Sequence, residues 1–175
     1  MIHHQPKPLS LAVQLMHLQR RYPSGTGGVH RSRLVWRQQI RPHALAHSYS
    51  CRLEHTFEDY PCMFCVDPPL SALAEGRRLP HVYTRAEPIC MCLFMKNREY
   101  WHNRMLLADI VVPLAYYWLA NCEDWLFSGV WRGGGTHPVV PEAPQTLPVF
   151  PNETISTIES LTRQDVAKPD TATAA

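Results

Sequence analysis

The sequence predicts an α+β fold in which helices pack on one face of an antiparallel β-meander. Three observations lead to this prediction: an amphipathic segment near the N-terminus, three strand-like segments separated by a few residues each, and a long apolar helical segment downstream. Strands that follow one another closely pair antiparallel, and a run of strands followed by a helix is typical of helices packed on one face of the sheet.

The first helix is predicted over residues 10–21. Leucines recur there at the spacing of one helical face, and the Ser10 side chain can cap the first turn. Gln14 and His17 interrupt the apolar pattern and no small-residue cleavage site follows, so the segment is not expected to be a secretory signal peptide. The Pro- and Gly-containing residues 23–28 predict a loop.

Three strands are predicted next, over Arg33–Ile40, Ala46–Phe57 and Tyr60–Val66. Each is short, rich in apolar or β-branched residues, and bounded by turn residues. The two prolines that follow Asp67 cannot supply ladder N–H groups and should end the sheet. The side chains expected on one face of the second strand are Tyr49, Cys51, Leu53 and His55.

The stretch Leu79–Met95 has strand-like patches but no helical period, which predicts an irregular crossing segment with extended parts. Met105–Ser128 is predicted to be helical, as two helices or as one helix kinked near Pro113. Gly129 fits the end of that helix.

Length and composition favour one domain over residues 1–140, with a Pro-rich extended strap and a disordered tail over residues 141–175. The net charge is only +2 without a clustered basic face, so nucleic acid is not an expected partner. The longest apolar run, Leu106–Ala120, is shorter than the about 20 residues of a membrane span and contains Asp109, which argues against a membrane. We therefore expect a cytoplasmic protein.

The six cysteines are expected to be free thiols, because the cytoplasm is reducing. The pairs Cys62/Cys65 and Cys90/Cys92 invite a zinc-binding interpretation, since structural zinc favours closely spaced thiolates. Strand geometry argues against it, because Cys62 and Cys65 would point to opposite faces. Most of these thiols are expected to be buried hydrophobes. A thiol on the non-helical crossing segment, however, can be presented to a partner and is an intrinsically good nucleophile.

Several elements, in order along the chain, resemble those of a known family. A Pro-His-Val-Tyr element, an Ile-Cys-x-Cys-Leu-Phe element and a following Trp resemble the active-site stretch of ubiquitin-conjugating enzymes. More specifically, the chain resembles the short conjugating-enzyme-like proteins of bacterial CBASS antiphage operons over about residues 33–140. The matching elements are Pro80–Tyr83, Ile89–Phe94, Trp101, Ala108-Asp109 with Pro113, and Trp131–Pro138.

The resemblance implies a ubiquitin-conjugating-enzyme-like fold and a cysteine transferase that needs no cofactor. The cysteine would carry a partner protein's C-terminus as a thioester, and a lysine amine of a target protein would then attack to give an isopeptide bond. The implied cargo is the cyclic-oligonucleotide synthase encoded in the same operon. Residues 1–140 would then be the catalytic domain.

The resemblance implies three site residues. Cys92 matches the Cys-Leu-aromatic element and is the expected nucleophile, although the distance from His81 slightly favours Cys90. His81 takes the place of the family's usual asparagine, where it can donate a hydrogen bond to an oxyanion or accept the lysine proton. His137, after three glycines, is a second candidate. The alternatives are a non-catalytic scaffold of the same fold, a zinc-binding adaptor, and a papain-like hydrolase that would need an orienting Asn or Asp.

Overall fold

The computed structural model of the chain describes residues 7–96 and 100–135. Five antiparallel strands form one sheet and pair in chain order, which confirms the predicted α+β class. The sheet has two strands more than the predicted three-stranded meander. It continues beyond the prolines that follow Asp67, so the prediction that they end the sheet is wrong. The strands are β1 (Thr26–His30), β2 (Arg33–Ile40), β3 (Tyr49–His55), β4 (Cys62–Asp67) and β5 (Ile89–Cys90). The helices are α1 (Leu11–Arg21), α2 (Leu70–Leu73) and α3 (Val111–Ser128).

Helix α1 begins where the sequence predicts, because the Ser10 hydroxyl accepts a hydrogen bond of 3.3 Å from the Val13 N–H. Gln14, which breaks the apolar pattern, is buried on the core side of this helix. Its side-chain amide donates to the Met105 carbonyl at 2.7 Å and accepts from the Leu107 N–H at 2.9 Å. Gln14 therefore ties α1 to the segment that leads into α3.

The central strands bury one face, as the alternation in the sequence predicts. In the register of β2 with β3, Trp36 lies opposite Leu53, and in that of β3 with β4, Leu53 lies opposite Met63. All three side chains are fully buried. The predicted inward face of β3 is confirmed, since each of its members is buried: Tyr49, Cys51, Leu53 and His55.

Strand β1 was not expected, because its glycines are typical of a loop. A Cβ added to Gly27 would lie 2.2 Å from the Val35 carbonyl oxygen, and one added to Gly25 would lie 2.3 Å from the Trp36 ring. These glycines are needed because a side chain at either position would collide with β2. The prediction of a loop over residues 23–28 is therefore wrong from Thr26 onward.

Helix α3 begins at Val111 and not at Met105 as predicted, and it is one uninterrupted helix. Both alternatives that the sequence offered, two helices or a kink near Pro113, are therefore wrong. Pro113 lies in its first turn, where an N–H would lack an intrahelical partner in any case, so the ring is tolerated without bending the helix. Gly129 closes the helix in the left-handed conformation with φ 73°, as predicted.

Helices α1 and α3 share one hydrophobic core with the buried face of the sheet. At one edge of this core, the Tyr49 hydroxyl donates to the Glu123 carboxylate at 2.7 Å and so joins β3 to α3. Within the described residues, no helix has the length and apolar character needed to cross a bilayer. The predicted strap and tail, residues 141–175, lie outside the described residues.

Candidate active site

Two parts of the crossing segment, residues 79–95, pair with each other at the edge of the sheet. The Tyr83 N–H donates to the Cys90 carbonyl at 2.8 Å, and the Cys92 N–H donates to the His81 carbonyl at 2.9 Å. Strand β5 lies within this pair and is itself hydrogen-bonded to β4. The pairing brings together two of the residues that the sequence singled out, because His81 lies directly across from Cys92.

His81 is fixed by contacts on several sides. Its backbone has φ 49°, a left-handed conformation that is uncommon for a non-glycine residue. Its carbonyl also accepts a hydrogen bond of 2.8 Å from the Trp118 indole N–H. Its ring stacks on Trp131, with centroids 4.8 Å apart and planes 26° apart. A Cβ added to Gly135 would lie 3.4 Å from that ring, so the glycine loop also approaches it closely.

The Cys92 thiol is half-buried. Burial raises its pKa, whereas a hydrogen bond from the Tyr83 hydroxyl and the charge of Lys96 act in the opposite direction. The Lys96 ammonium lies 4.4 Å from the centroid of the Tyr83 ring. Burial raises the pKa of Tyr83. Its hydroxyl has a single proton, which it donates to the Phe94 carbonyl in this structure and can redirect to the neighbouring sulfur when the thiolate forms. The thiol is thus held mainly in its protonated form near neutral pH, beside a hydroxyl and a cation that can stabilise the thiolate.

Cys92 and His81 open onto a cavity of about 540 Å³. Aromatic and aliphatic side chains from the crossing segment and α3 form its walls, and glycines border it on another side. A concave, mainly apolar space with a few convergent polar groups is the usual form of a binding or catalytic site. The residues that line the cavity are His81, Cys92, Leu93, Phe94, Met95, Tyr100, Ile110, Leu114, Tyr117, Trp118, Trp131 and Gly133 to Gly135.

The family model described as "Type II CBASS E2 protein" matches residues 14–138, well over half of the chain. The chain belongs to this family. No curated protein matches it. The family name indicates an E2-like conjugating transferase of CBASS systems, and it is consistent with a role in antiphage defence beside other CBASS proteins.

In this CBASS E2 protein, Cys90 and Cys92 differ sharply in access to solvent. Cys90 is only 2% exposed and does not line the cavity. A hydrogen bond with the Cys62 thiol, together with burial, raises its pKa. Of these two thiols, Cys92 is the one that opens onto the cavity.

The remaining cysteines separate into two groups. Cys51, Cys65 and Cys122 are buried, as predicted for small hydrophobic side chains. Cys62 is half-buried and thus less enclosed than predicted, and its hydrogen bond with Cys90 lowers its pKa to about 7.

The proposed zinc ligands do not converge in the CBASS E2 protein. Cys65 is buried on the core face of β4, whereas Cys62 lies on the opposite face. Within residues 7–96 and 100–135, no three His, Cys, Asp or Glu side chains are placed to share a metal ion. The zinc-binding interpretation is not supported by this geometry.

His137 lies outside the described residues, so the structure says nothing of its position.

Two residues at the site were missed as functional candidates. Trp118 lies in the predicted helix and was not singled out, yet its indole N–H donates to the His81 carbonyl. Tyr83 was noted only as part of a motif, yet its hydroxyl contacts the Cys92 thiol. The two-residue spacing between His81 and Tyr83 was the available signal, since such residues share a side of an extended segment.

Proposed function

We propose that this CBASS E2 protein is a cysteine-dependent acyltransferase with a ubiquitin-conjugating-enzyme-like fold and a catalytic domain within residues 1–140. Cys92 receives the C-terminal acyl group of a partner protein as a thioester. A lysine amine of a target protein then attacks that thioester, which forms an isopeptide bond and releases the Cys92 thiol. The proposed partner is the cyclic-oligonucleotide synthase of the same system, and the proposed compartment is the cytoplasm.

The observation that supports this proposal is the placement of Cys92. Among the described cysteines, it is the one whose side chain lines the 540 Å³ cavity, and it does so opposite His81. A nucleophile must be reachable by the carbonyl carbon that it attacks, and a polar group must lie near the oxygen that becomes charged. The buried Cys90 does not meet the first condition, because its thiol is not open to a substrate.

His81 is the proposed partner of the reaction at Cys92. Its ring N–H can donate to the oxyanion of the tetrahedral intermediate, and an unprotonated ring nitrogen can accept the proton of the incoming lysine amine. Stacking on Trp131 and the two hydrogen bonds to its carbonyl hold the residue without preventing either role. His137 is proposed as a second group that takes part in proton transfer.

The raised pKa of Cys92 fits transfer from an activated donor. A thiol that is mainly protonated at neutral pH reacts slowly with an unactivated carboxylate or amide, but a thioester exchanges with the small thiolate fraction. The Tyr83 hydroxyl and the Lys96 ammonium can stabilise that thiolate as it forms.

The first experiment tests whether Cys92 forms the thioester. The synthase is prepared with an activated C-terminal thioester, incubated with the full chain, and analysed on a non-reducing gel. We expect a higher-mass band that dithiothreitol removes, that Cys92→Ala lacks, and that the matched control Cys90→Ala retains. Absence of the band in the unmodified chain would favour a non-catalytic scaffold, and a band lost only in Cys90→Ala would assign the nucleophile to Cys90.

The second experiment separates the two proposed roles of His81. Free lysine is added to the isolated thioester, and the rate of its discharge is measured. Asparagine tolerates the left-handed backbone and keeps an N–H donor, but its amide is not a base. If His81 stabilises the oxyanion, His81→Asn should discharge almost normally and His81→Ala slowly. If His81 acts as a base, both variants should be slow, and equal rates in all three proteins would exclude both roles.

A further inference from the structure

The wall of the cavity beside Cys92 is built from one face of α3 and its N-terminal cap. Ile110, Leu114, Tyr117 and Trp118 line the cavity at spacings of four, seven and eight residues from the first, which places them on one side of the helix. Phe94 of the crossing segment lines it as well. Among the described residues that line the cavity there is no Asp, Glu, Lys or Arg. Cys92 and His81 lie at one end of this lining, and further polar groups come from the tyrosine hydroxyls and from the glycine backbone of residues 133–135.

We propose that this apolar wall selects the acyl donor. The polypeptide whose C-terminus reaches Cys92 carries a bulky apolar side chain within its last few residues. This inference rests on the proposed function and narrows its substrate class.

The distribution of polarity in the cavity supports this choice of occupant. A C-terminal tail presents its polar carbonyl at the reacting end, where Cys92 and His81 lie, and its last side chains to the surrounding walls. An apolar side chain gains free energy when it leaves water for the walls of Leu114 and Trp118. A charged side chain placed against the same apolar walls would lose part of its hydration, which costs free energy.

The chemical step is a thioester exchange. The Cys92 thiolate attacks the acyl carbon of the donor thioester, a new C–S bond forms at Cys92, and the old C–S bond breaks. The departing thiolate takes a proton from solvent, so no further reactant is required. Recognition of the tail precedes this step and can be measured without it.

The test is therefore an equilibrium binding measurement. Full-length Cys92→Ala is titrated into fluorescently labelled peptides that differ only in one of their last four residues, which is Leu, Phe, Ser, Asp or Lys. We expect the best Leu or Phe peptide to bind at least about ten-fold more tightly than its Asp and Lys counterparts. Equal affinities, or no binding by any peptide, would overturn the inference.

Charge variants on α3 sharpen the test. Tyr117 is 58% exposed, so Tyr117→Lys and Tyr117→Asp should both fold. In the Cys92→Ala background, the lysine variant should improve binding of the Asp peptide about ten-fold and the aspartate variant should not. Phe127→Lys is the matched control, because Phe127 lies on the same helix, is 95% exposed and does not line the cavity. A similar gain in that control would show that the cavity is not the binding site.

The same peptides, prepared as C-terminal thioesters, separate this inference from the proposed function. If apolar peptides bind more tightly but do not acylate Cys92 in the unmodified chain, the inferred apolar tail site stands and the proposed transferase function is rejected. If Leu, Asp and Lys peptides acylate Cys92 at equal rates, the proposed transferase function stands and the inferred selectivity for an apolar tail is rejected.

Discussion

The central strands and the crossing segment of this CBASS E2 protein are built on different patterns. In β2 and β3, buried and exposed side chains alternate, so one face packs on the helices and the other meets solvent. In the crossing segment, Ile89, Cys90 and Met91 are buried in succession, and Cys92 is only half-buried. The alternating strands β2 and β3 therefore form the scaffold. The crossing segment is enclosed on both faces as far as Met91 and then presents the Cys92 thiol to the cavity.

The same difference separates two pairs of thiols. Cys51 and Cys65 lie opposite each other in neighbouring strands, and both are closed within the core. Cys90 and Cys92 lie two residues apart in one segment, yet one is buried and the other opens onto the cavity. The amino-acid type is identical in all four positions, so surroundings alone decide which sulfur can meet a substrate.

The largest effect should appear in thiol labelling. Cys51, Cys65 and Cys122 can react with N-ethylmaleimide only when the core opens, so we expect them to label on the order of 10³-fold more slowly than Cys92. Cys62, with a pKa of about 7, should label fastest near neutral pH. The rate at Cys92 should keep rising above neutrality, because its pKa is raised. Mass spectrometry of peptides after timed labelling measures each site.

A Cys62→Ser variant controls this labelling experiment by removing the fastest site. Comparable rates at Cys51 and Cys92 in that variant would mean that the central strands open as readily as the crossing segment, and the contrast between the two regions would be lost.

Truncation of the core should show the next largest effect. Leu53→Ala removes a fully buried side chain from the middle of the central strands, so we expect a loss of about 2–5 kcal/mol in the free energy of unfolding. Leu93→Ala, in the half-buried wall of the cavity, should cost about 1 kcal/mol. Urea unfolding followed by tryptophan fluorescence measures both. A larger loss at Leu93 would contradict the assignment of stability to the central strands.

Acid should weaken the central strands through His55. Burial lowers its pKa to about 4, whereas an unfolded histidine titrates near 6.5. The unfolded chain therefore binds a proton that the folded chain does not, and stability is lost as the pH falls from about 6.5 toward 4. The corresponding loss is at most about 3 kcal/mol. Urea unfolding at a series of pH values should show this slope in the unmodified chain and a flatter profile in His55→Gln.

Local patterns predicted the scaffold well because local physics determines it. The bounds of β2 followed from the turn residues that flank it, the inward face of β3 from alternation, and the start of α1 from the capping serine. Strand β1 was missed because Gly25 and Gly27 are typical of a loop, and only the tertiary position of Trp36 explains why they are needed. The kink in α3 was wrongly predicted because the position of Pro113 depends on where the helix begins.

The candidate site was harder to predict from the sequence than the scaffold. The family resemblance singled out Cys92 and His81, but their position opposite each other depends on hydrogen bonds between two parts of the crossing segment. The contact of His81 with Trp118 spans 37 residues of chain. No period or spacing rule predicts such a contact, because it arises only when α3 packs beside the end of the sheet.

The smallest predicted effect tests that long-range contact. Trp118→Phe keeps an aromatic ring but removes the N–H that the His81 carbonyl accepts, so we expect the free energy of unfolding to fall by about 1 kcal/mol. The remaining bond from the Cys92 N–H should hold the pair less firmly, which should raise maleimide labelling of Cys92 about five-fold. Trp125→Phe is the matched control on the same helix, because Trp125 packs against Arg77 and does not line the cavity. If both variants lose stability but only Trp118→Phe changes Cys92, the indole N–H positions the thiol as well as stabilising the fold. If labelling of Cys92 rises equally in both variants, the altered packing of α3 causes the increase, and the hydrogen bond to the His81 carbonyl does not position the crossing segment.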